Sequence, residues 1–313
     1  MNHAPVALFV YNRAENTRRT LEALAANNMA PETQVYVFSD GGKDKRTWAE
    51  VAEVRRVVKQ FERKYFKGLT LVERPMNWYL ERNVMEGINQ VFLGHDRIIV
   101  LEDDIVVGPR FLEYMNLAFD LYRDIPNVMH VSGFTNLNLP DVPFYFTPHM
   151  SGWGWGTWRD RWENHFHHFT SRAEALAGLT EQDMAAMQYG GVFPCLNSLN
   201  RKPIPWDICW ELAIYRAGGL CLTPGQTLVR NIGLNNGTHF RSFRLLQYYE
   251  FDREPQEDLP ALWQVECPQS DPDQEALFAE AIRDWGIRYT WLGHVLRFVY
   301  RLFCRKRMQT VYL

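Results

Sequence analysis

The sequence predicts an α/β protein with a mixed, mostly parallel sheet flanked by helices. Two observations predict this class. Short apolar runs typical of buried strands recur along the N-terminal half, and segments with helical periodicity separate them. The chain has 313 residues, of which 46% are hydrophobic and 23% are charged. This length and composition are typical of a globular protein with an ample core.

Four strands and three helices alternate through the first 104 residues. The second strand ends in Asp40 and a glycine pair, and Asn16 or Thr17 is the expected N-cap of the first helix. Because a helix follows each strand, the strands are expected to be parallel. The predicted strands are 6–12, 34–42, 69–75 and 97–104, and the predicted helices are 15–27, 48–65 and 81–94.

The pattern is less regular beyond residue 127. Short strands are expected, followed by a glycine- and tryptophan-rich loop and then by helices. A Pro- and acid-rich surface linker comes near the end. The strands are predicted within 128–134 and 144–148, the loop at 151–158, the helices at 172–189 and 205–219, an extended region at 219–240 and the linker at 250–273.

Three carboxylates, Glu102, Asp103 and Asp104, stand at the tip of the fourth strand. Hard divalent cations prefer oxygen ligands, and Mg²⁺ or Mn²⁺ is commonly held by one or two carboxylates together with substrate phosphates. Ligands also bind at the carboxyl edge of open α/β sheets. Acids end strands for structural reasons too, so these residues alone leave a metal site and a structural cluster as alternatives.

Asp40 also ends a strand, so it is expected at the same edge of the sheet. Its carboxylate could accept from a nucleotide base or a ribose hydroxyl, or it could form the turn before Gly41-Gly42. The first strand is followed by neither a G-x-G-x-x-G motif nor a Walker A motif, so neither common phosphate-binding loop is present.

The order of several short motifs resembles that of GT-A (Rossmann-like) glycosyltransferases. More narrowly, it is similar to the inverting N-acetylglucosaminyltransferase I type and its bacterial relatives, over roughly residues 4–245. In that type an "EDD" motif precedes an apolar strand, a proline and "F-x-E-Y", as at 102–114 here. The matching motifs are Asn12-Arg13, Ser39-Asp40-Gly41, Arg82-Asn83, Glu102-Asp103-Asp104, Gly152-Trp153-Gly154-Trp155, Trp206-Asp207, and segments 131–136 and 223–240.

The resemblance implies a UDP-sugar donor and a divalent metal, Mn²⁺ or Mg²⁺. Asp104 would be the direct metal ligand, whereas Glu102 and Asp103 would contact the ribose or donor sugar, or hold metal-bound water. Relatives often carry histidine at the position of Asn83. The positions that match residues near the nucleotide are Asn12, Arg13, Asp40, Arg82 and Asn83.

Asp207, in "PWDICWE", matches the catalytic base of the family, and Glu211 is the rival candidate one helical turn further on. Taken alone, Asp207 after Pro205 is more typical of an N-cap than of a catalytic base. A base at this position would accept the proton of an acceptor hydroxyl. The resemblance implies a hexosyl- or N-acetylhexosaminyltransferase of polysaccharide biosynthesis, acting on a bacterial surface-glycan or lipid-linked acceptor.

Two further segments are candidates for ligand contact. His239 falls in a segment that closes over the donor in relatives, and it could contact phosphate or metal. The histidines of "HFHHF" (165–169) lack i, i+4 spacing and are interpreted as surface residues. Three tryptophans of the predicted loop could stack on a sugar or could pack in the core, and these are Trp153, Trp155 and Trp158.

Charge is distributed unevenly along the chain. The net charge is −3, which does not favour nucleic-acid binding, but residues 285–313 carry +6 and residues 1–284 carry −9. The basic and apolar faces of this tail are typical of a helix at an anionic membrane surface, and a helix docked on the catalytic domain is the alternative. The expected domains are a catalytic domain at 1–245 (nucleotide half 1–127, acceptor and base half 128–245), a linker and helix at 246–284 and the basic tail at 285–313.

The five cysteines, with no C-x-x-C pair, predict neither a disulfide framework nor a zinc site. The N-terminus lacks signal-peptide features and no run of 18 apolar residues occurs, so we expect a cytoplasmic, bacterial protein, peripheral on the inner membrane if its tail binds lipid. Two other functions are considered. One is a non-catalytic glycan-binding module of the same fold. The other is a sugar nucleotidyltransferase, which would need a glycine-rich loop that residues 11–19 lack.

Overall fold

The computed structural model describes residues 3–62, 64–235, 253–270 and 272–287. The strands are β1 (Val6–Val10), β2 (Gln34–Ser39), β3 (Gly68–Glu73), β4 (Arg97–Glu102), β5 (Ile105–Val107), β6 (Val128–Ser132), β7 (Phe144–Thr147), β8 (Trp155–Trp158), β9 (Leu220–Pro224) and β10 (Val229–Asn231). The α-helices are α1 (Ala14–Ala25), α2 (Lys45–Lys59), α3 (Tyr79–Phe92), α4 (Phe111–Leu121), α5 (Arg159–His165), α6 (Arg172–Leu176), α7 (Glu181–Met187), α8 (Trp206–Arg216) and α9 (Pro272–Ile287).

Eight strands form one sheet in the order β3-β2-β1-β4-β8-β6-β9-β7, and β5 and β10 form a separate antiparallel pair. β3, β2, β1 and β4 run parallel, as expected where helices connect successive strands. β8 runs antiparallel between β4 and β6, β9 pairs in parallel with β6, and β7 pairs antiparallel with β9. The predicted α/β class with a large, mostly parallel sheet flanked by helices is confirmed.

The strand register brings the ends of β1, β2 and β4 to one edge of the sheet. β1 is buried throughout and β4 is buried up to its last residue, which explains why both read as continuous apolar runs. Val10 pairs with Ser39, and Phe9 pairs with Glu102. The polar residues that follow these three strands therefore lie beside one another.

Helices cover both faces of this sheet. α1, α2 and α4 contribute Leu21, Val54 and Phe111 to one buried cluster, whereas α3 and α8 contribute Ile88 and Trp210 to another. The residues of β1 alternate between the two clusters, as the period of a strand requires. Full burial of a large apolar side chain contributes about 1.5–3 kcal/mol, so these clusters fix the helices, and with them the strand ends.

The first helix begins earlier than the sequence predicts. α1 begins at Ala14 with Arg13 as its N-cap residue, so neither Asn16 nor Thr17 caps it. Thr17 lies inside the first turn, where its hydroxyl donates to the Arg13 backbone oxygen (2.9 Å). The early start places Arg13 at the junction between β1 and α1.

The predicted loop at 151–158 is wrong in its second half, which forms β8. A Cβ atom at Gly156 would approach the Ile98 backbone oxygen to 2.5 Å and the Phe119 ring to 2.6 Å. Glycine therefore allows β8 to lie against α4 while it pairs with β4. The glycine that makes this stretch resemble a loop is therefore required for close packing of a strand.

The predicted helix at 172–189 is divided into α6 and α7. Gly178, with a φ of +82°, interrupts it. Thr180 then starts α7 by accepting a hydrogen bond from the Asp183 backbone N–H (3.1 Å). The helix predicted at 205–219 is confirmed as α8.

Residues 253–270 contain no helix or strand, as predicted for a linker, but they pack on the domain. Leu259 and Leu262 contact the core, and the Tyr122 hydroxyl donates to the Trp263 backbone oxygen (2.7 Å). The basic tail predicted at 285–313 lies outside the described residues, except for the end of α9. Within the described part of the chain, no helix has the length and apolar character that a membrane span requires.

Candidate active site

Arg13 joins the acids that follow β4. Its guanidinium pairs with Asp103 and, through Nη1, with Oδ2 of Asp104 at 2.8 Å. Asp103 and Asp104 are buried, at 3% and 8% exposure. Burial alone would lower the pKa of Arg13, but the two carboxylates raise it, so the guanidinium stays charged. Because α1 begins at Ala14, Arg13 lies beside the tip of β4, and its guanidinium places a permanent positive charge there.

One guanidinium does not balance three carboxylates. Burial, followed by the charges of Asp104 and Asp103, raises the pKa of Glu102 to about 8. Burial also raises the pKa of Asp103 to about 7, although Arg13 opposes this. The carboxylates therefore lie close enough to disfavour one another's ionisation.

This donor set fits a hard divalent cation. Carboxylate oxygens are the ligands that Mg²⁺ and Mn²⁺ prefer, and a cation would balance the excess negative charge beside Asp104. Among the described residues, no group of three or more His, Cys, Asp or Glu side chains is placed to hold a metal ion by itself. Ions that keep water and substrate phosphates as ligands do not require such a group.

Asp40 connects the end of β2 to the start of α3. It accepts hydrogen bonds from the backbone N–H of Gly41 (2.8 Å), the backbone N–H of Trp78 (2.7 Å) and the Asn77 amide (3.0 Å). Burial raises the pKa of Asp40, and the hydrogen bonds from the backbone of Trp78 and Gly41 oppose the shift. The turn-forming alternative for Asp40 is therefore present in the fold, at the edge where a nucleotide is expected.

Asn12, Arg82 and Asn83 occupy different environments. The Asn12 amide donates to Glu50 (2.7 Å) beside the end of β1, and Arg82 is exposed with its guanidinium 4.2 Å above the Trp78 ring. Asn83 is only 3% exposed. Its side-chain amide accepts a hydrogen bond from Arg74 Nε (2.9 Å) and donates one to the Phe38 backbone oxygen (3.3 Å). The burial of Asn83 does not favour the expected contact with the nucleotide.

The tryptophans of 151–158 are mainly core residues. Trp155 is fully buried and stacks against His130 and Trp206, with ring centroids 5.1 and 5.3 Å apart. Trp158 is 3% exposed. The burial of Trp155 and its stacking on two rings do not favour the expected ligand contact. Trp153 is partly buried and lines a cavity.

Asp207 lies in the first turn of α8 and is exposed. It does not act as the N-cap, which is Pro205, and its Oδ1 accepts from the backbone N–H of Ile208 (2.7 Å). Although part of its surface is exposed, desolvation by the surrounding protein raises the pKa of Asp207, and the charge of Glu211 adds to the shift. The charge of Asp207 also contributes to the raised pKa of Glu102.

Glu211 is 5% exposed, and both of its carboxylate oxygens are occupied. One pairs with His149 Nδ1, and the other accepts from the Met150 backbone N–H (2.9 Å). Glu211 therefore joins α8 to the segment after β7. This arrangement leaves Asp207 as the more exposed of the two carboxylates.

The site contains residues that the sequence does not single out. A Cβ atom at Gly233 would approach Asp104 Oδ2 to 2.0 Å, so only glycine leaves room for that carboxylate. Gly233 lies in the family-like segment 223–240, which is its only signal. His149 carries no local signal, because its partner Glu211 is distant in sequence, and no motif marks Arg74 although Asn83 lies near it in the chain. His239 lies outside the described residues, whereas the histidines of 165–169 are exposed or partly exposed, as predicted.

Comparison with known proteins identifies the family of the chain. A family model described as "Glycosyltransferase like family 2" matches residues 3–180. No curated protein matches the chain. Among solved structures, S. aureus TarS 1–349 is similar with a TM-score of 0.36 and 12% identity, covering 51% of this chain and 48% of that one. The chain thus spans about half the length of that protein. The family match covers more than half of the chain and agrees with the predicted GT-A fold, so the protein belongs to the glycosyltransferase-like family 2.

Proposed function

We propose that the protein is a metal-dependent, inverting glycosyltransferase that moves a sugar from a UDP-sugar to a glycan acceptor. The observation that carries this proposal is the cluster of three carboxylates at the end of β4, which the single guanidinium of Arg13 does not balance. A donor held at the acids would place its anomeric carbon within reach of a base on α8.

Asp104 is proposed to hold the metal, with Glu102 beside it and the donor diphosphate as a further ligand. A bound Mn²⁺ or Mg²⁺ supplies positive charge that stabilises the leaving diphosphate. Arg13 keeps Asp103 and Asp104 in place through its ion pairs. Asp40 fixes the turn that leads to Trp78, where the nucleotide base would lie.

Asp207 is proposed as the general base. In a single displacement, the acceptor oxygen bonds to the anomeric carbon as the bond to the diphosphate breaks, and the configuration inverts. The acceptor hydroxyl proton passes to Asp207, whose raised pKa makes it a stronger base than an ordinary aspartate. Glu211 holds His149 and the backbone of Met150 instead, so it supports α8 rather than taking the proton.

The short connection after β1 argues against a sugar nucleotidyltransferase. α1 begins four residues after Val10, without a glycine-rich loop that could surround a triphosphate. The glycan-binding alternative shares the candidate site and differs in turnover, so a kinetic test on Asp207 separates it from the enzyme.

Thermal unfolding with UDP, GDP, CMP and dTDP, each with Mn²⁺ or EDTA, tests the donor and metal. A ligand at about 100 times its Kd adds roughly 2.7 kcal/mol to the stability. We expect a higher Tm with UDP that requires both Mn²⁺ and Asp104, so the Asp104→Ala variant should show no shift. A shift with another nucleotide would change the proposed donor, and no shift with any nucleotide would contradict the proposal.

A further inference from the structure

A cavity of about 380 Å³ adjoins Asp207. Its walls come from β6, β7 and β9 of the sheet, from α8, and from α9 near the C-terminal end of the described chain. Its volume lies within the range of about 300–1,000 Å³ that is typical of small-molecule sites. A ligand in this cavity would reach the carboxylate that is proposed as the base.

The charge of the lining excludes one class of ligand. The carboxylates of Asp207 and Glu211 line the cavity, and none of the described lining residues is Lys or Arg. A phosphate or another anion would therefore meet negative charge, and the imidazole of His149 in the lining already pairs with Glu211. A neutral ligand does not incur this cost.

The remaining lining combines aromatic faces with hydroxyl and amide groups. Trp153, Phe193 and Phe278 supply rings, and Ser198, Thr147 and Asn136 supply polar atoms. Pyranose rings carry apolar C–H faces and a rim of hydroxyl groups, so they match both parts of this lining. The chemistry of the cavity is that of a sugar site.

Phe278 comes from α9, outside the residues that the family model matches. Its ring lies parallel to that of His149, with centroids 5.6 Å apart, and contacts Phe193 at 5.8 Å. Glu211 in turn holds His149. α9 therefore forms one wall of the cavity. It packs on His149, which Glu211 of α8 holds in place.

We propose that this cavity binds a neutral sugar unit of the acceptor and that Phe278 of α9 determines which unit fits. The inference rests on the proposed function, because it takes Asp207 as the base beside the bound acceptor. It assigns a specificity role to a helix that lies beyond the family match.

Binding of methyl glycosides of glucose, galactose and N-acetylglucosamine, measured by saturation-transfer NMR, tests the proposal. Glucose 1-phosphate serves as the anionic comparison. We expect at least one glycoside to bind, and to bind more tightly than the phosphate. Phe278→Ala should weaken this binding about tenfold or more, equivalent to 1.4 kcal/mol. Ser198→Trp should also weaken it, because the indole would fill the cavity.

Leu277→Ala is the matched control, because Leu277 lies on the same helix and is 41% exposed. It should bind glycosides like the wild type, and all variants should keep the wild-type Tm shift with UDP and Mn²⁺. Failure of every glycoside to bind the wild type, or unchanged binding by Ser198→Trp, would overturn the inference. Glycoside binding without any nucleotide shift would instead overturn the proposed function and leave the sugar site standing.

Discussion

Arg13 provides the positive charge that allows Asp103 and Asp104 to be buried together at the end of β4. Removing one partner of a buried ion pair leaves the other charges uncompensated. We expect Arg13→Ala to lower the free energy of unfolding by about 1–3 kcal/mol, discounted because the arginine is partly exposed. Mn²⁺ should restore part of this loss, since a cation beside Asp104 would replace the missing charge.

Urea unfolding with Mn²⁺ or EDTA measures this effect. Arg19→Ala, at an exposed position on the same helix, is the control and should change the stability little under either condition. Equal stability of Arg13→Ala and the wild type in EDTA would show that the acids do not need the guanidinium. If Mn²⁺ does not reduce the loss of stability in Arg13→Ala, the result would contradict a cation site beside Asp104.

Asp207 should be required for turnover and not for donor binding. We expect Asp207→Asn to lower kcat by about 10²- to 10⁴-fold, because the amide cannot accept the proton. The Tm shift with UDP and Mn²⁺ should remain. If the variant and the wild type both bind glycan without turnover, the protein is a glycan-binding module instead.

The pH dependence of the rate follows from the raised pKa of Asp207. A carboxylate base is active when deprotonated, so the rate falls as pH drops through its pKa. We expect this acid limb to lie above pH 3.8, the ordinary value for the side chain. Glu81→Gln removes one of the negative charges that raise the pKa of Asp207 and should move the limb to lower pH. A limb that is identical in both enzymes would assign the titration to another group.

At the scale of elements, β8 holds the acid-bearing strand from one side. Its pairing with β4 requires Gly156, where a Cβ atom would meet the Ile98 backbone oxygen and the Phe119 ring. We expect Gly156→Ala to destabilise the protein by about 1–3 kcal/mol, as overpacking does. Gly94→Ala is the control, because nothing lies within 4 Å of a Cβ atom there, and it should stay within about 0.5 kcal/mol of the wild type. Equal Tm values for the two variants would contradict this account.

The elements that the sequence predicts well are those whose pattern is local. β1, β2, β3 and β4 and the helices between them follow from short apolar runs and helical periodicity, with differences of a few residues at their ends. β8 is not predicted, because its partners β4 and β6 are distant in sequence and it lies in a glycine-rich stretch whose composition resembles that of a loop. The same distinction between local patterns and long-range contacts decides which features of the candidate site are predictable from the sequence. The edge position of Asp40 and Glu102 follows from strand order, whereas the burial of Asn83 and Trp155 depends on long-range contacts.

At the scale of the whole molecule, charge separates the tail from the rest. Residues 285–313 carry +6, and residues 1–284 carry −9. The tail continues from α9, the helix that contributes Phe278 to the proposed acceptor cavity. An anionic surface would attract the tail and repel the remainder of the chain. We therefore propose that the enzyme works at an anionic membrane surface, where a membrane-proximal or lipid-linked acceptor would be close to α9.

Reversal of three tail charges tests this proposal in the full chain. Each basic residue near an anionic surface contributes about 1 kcal/mol to membrane binding, so Arg297→Glu, Arg301→Glu and Arg305→Glu together should weaken it about 100-fold or more. Co-sedimentation with anionic and zwitterionic vesicles measures the change. A control variant carries the same charge change at exposed positions of the catalytic domain, Arg19, Lys59 and Lys67. The wild type and the control should pellet with anionic vesicles only, and the tail variant should stay in solution. Equal pelleting of the tail variant and the wild type would instead favour a tail that docks on the protein itself.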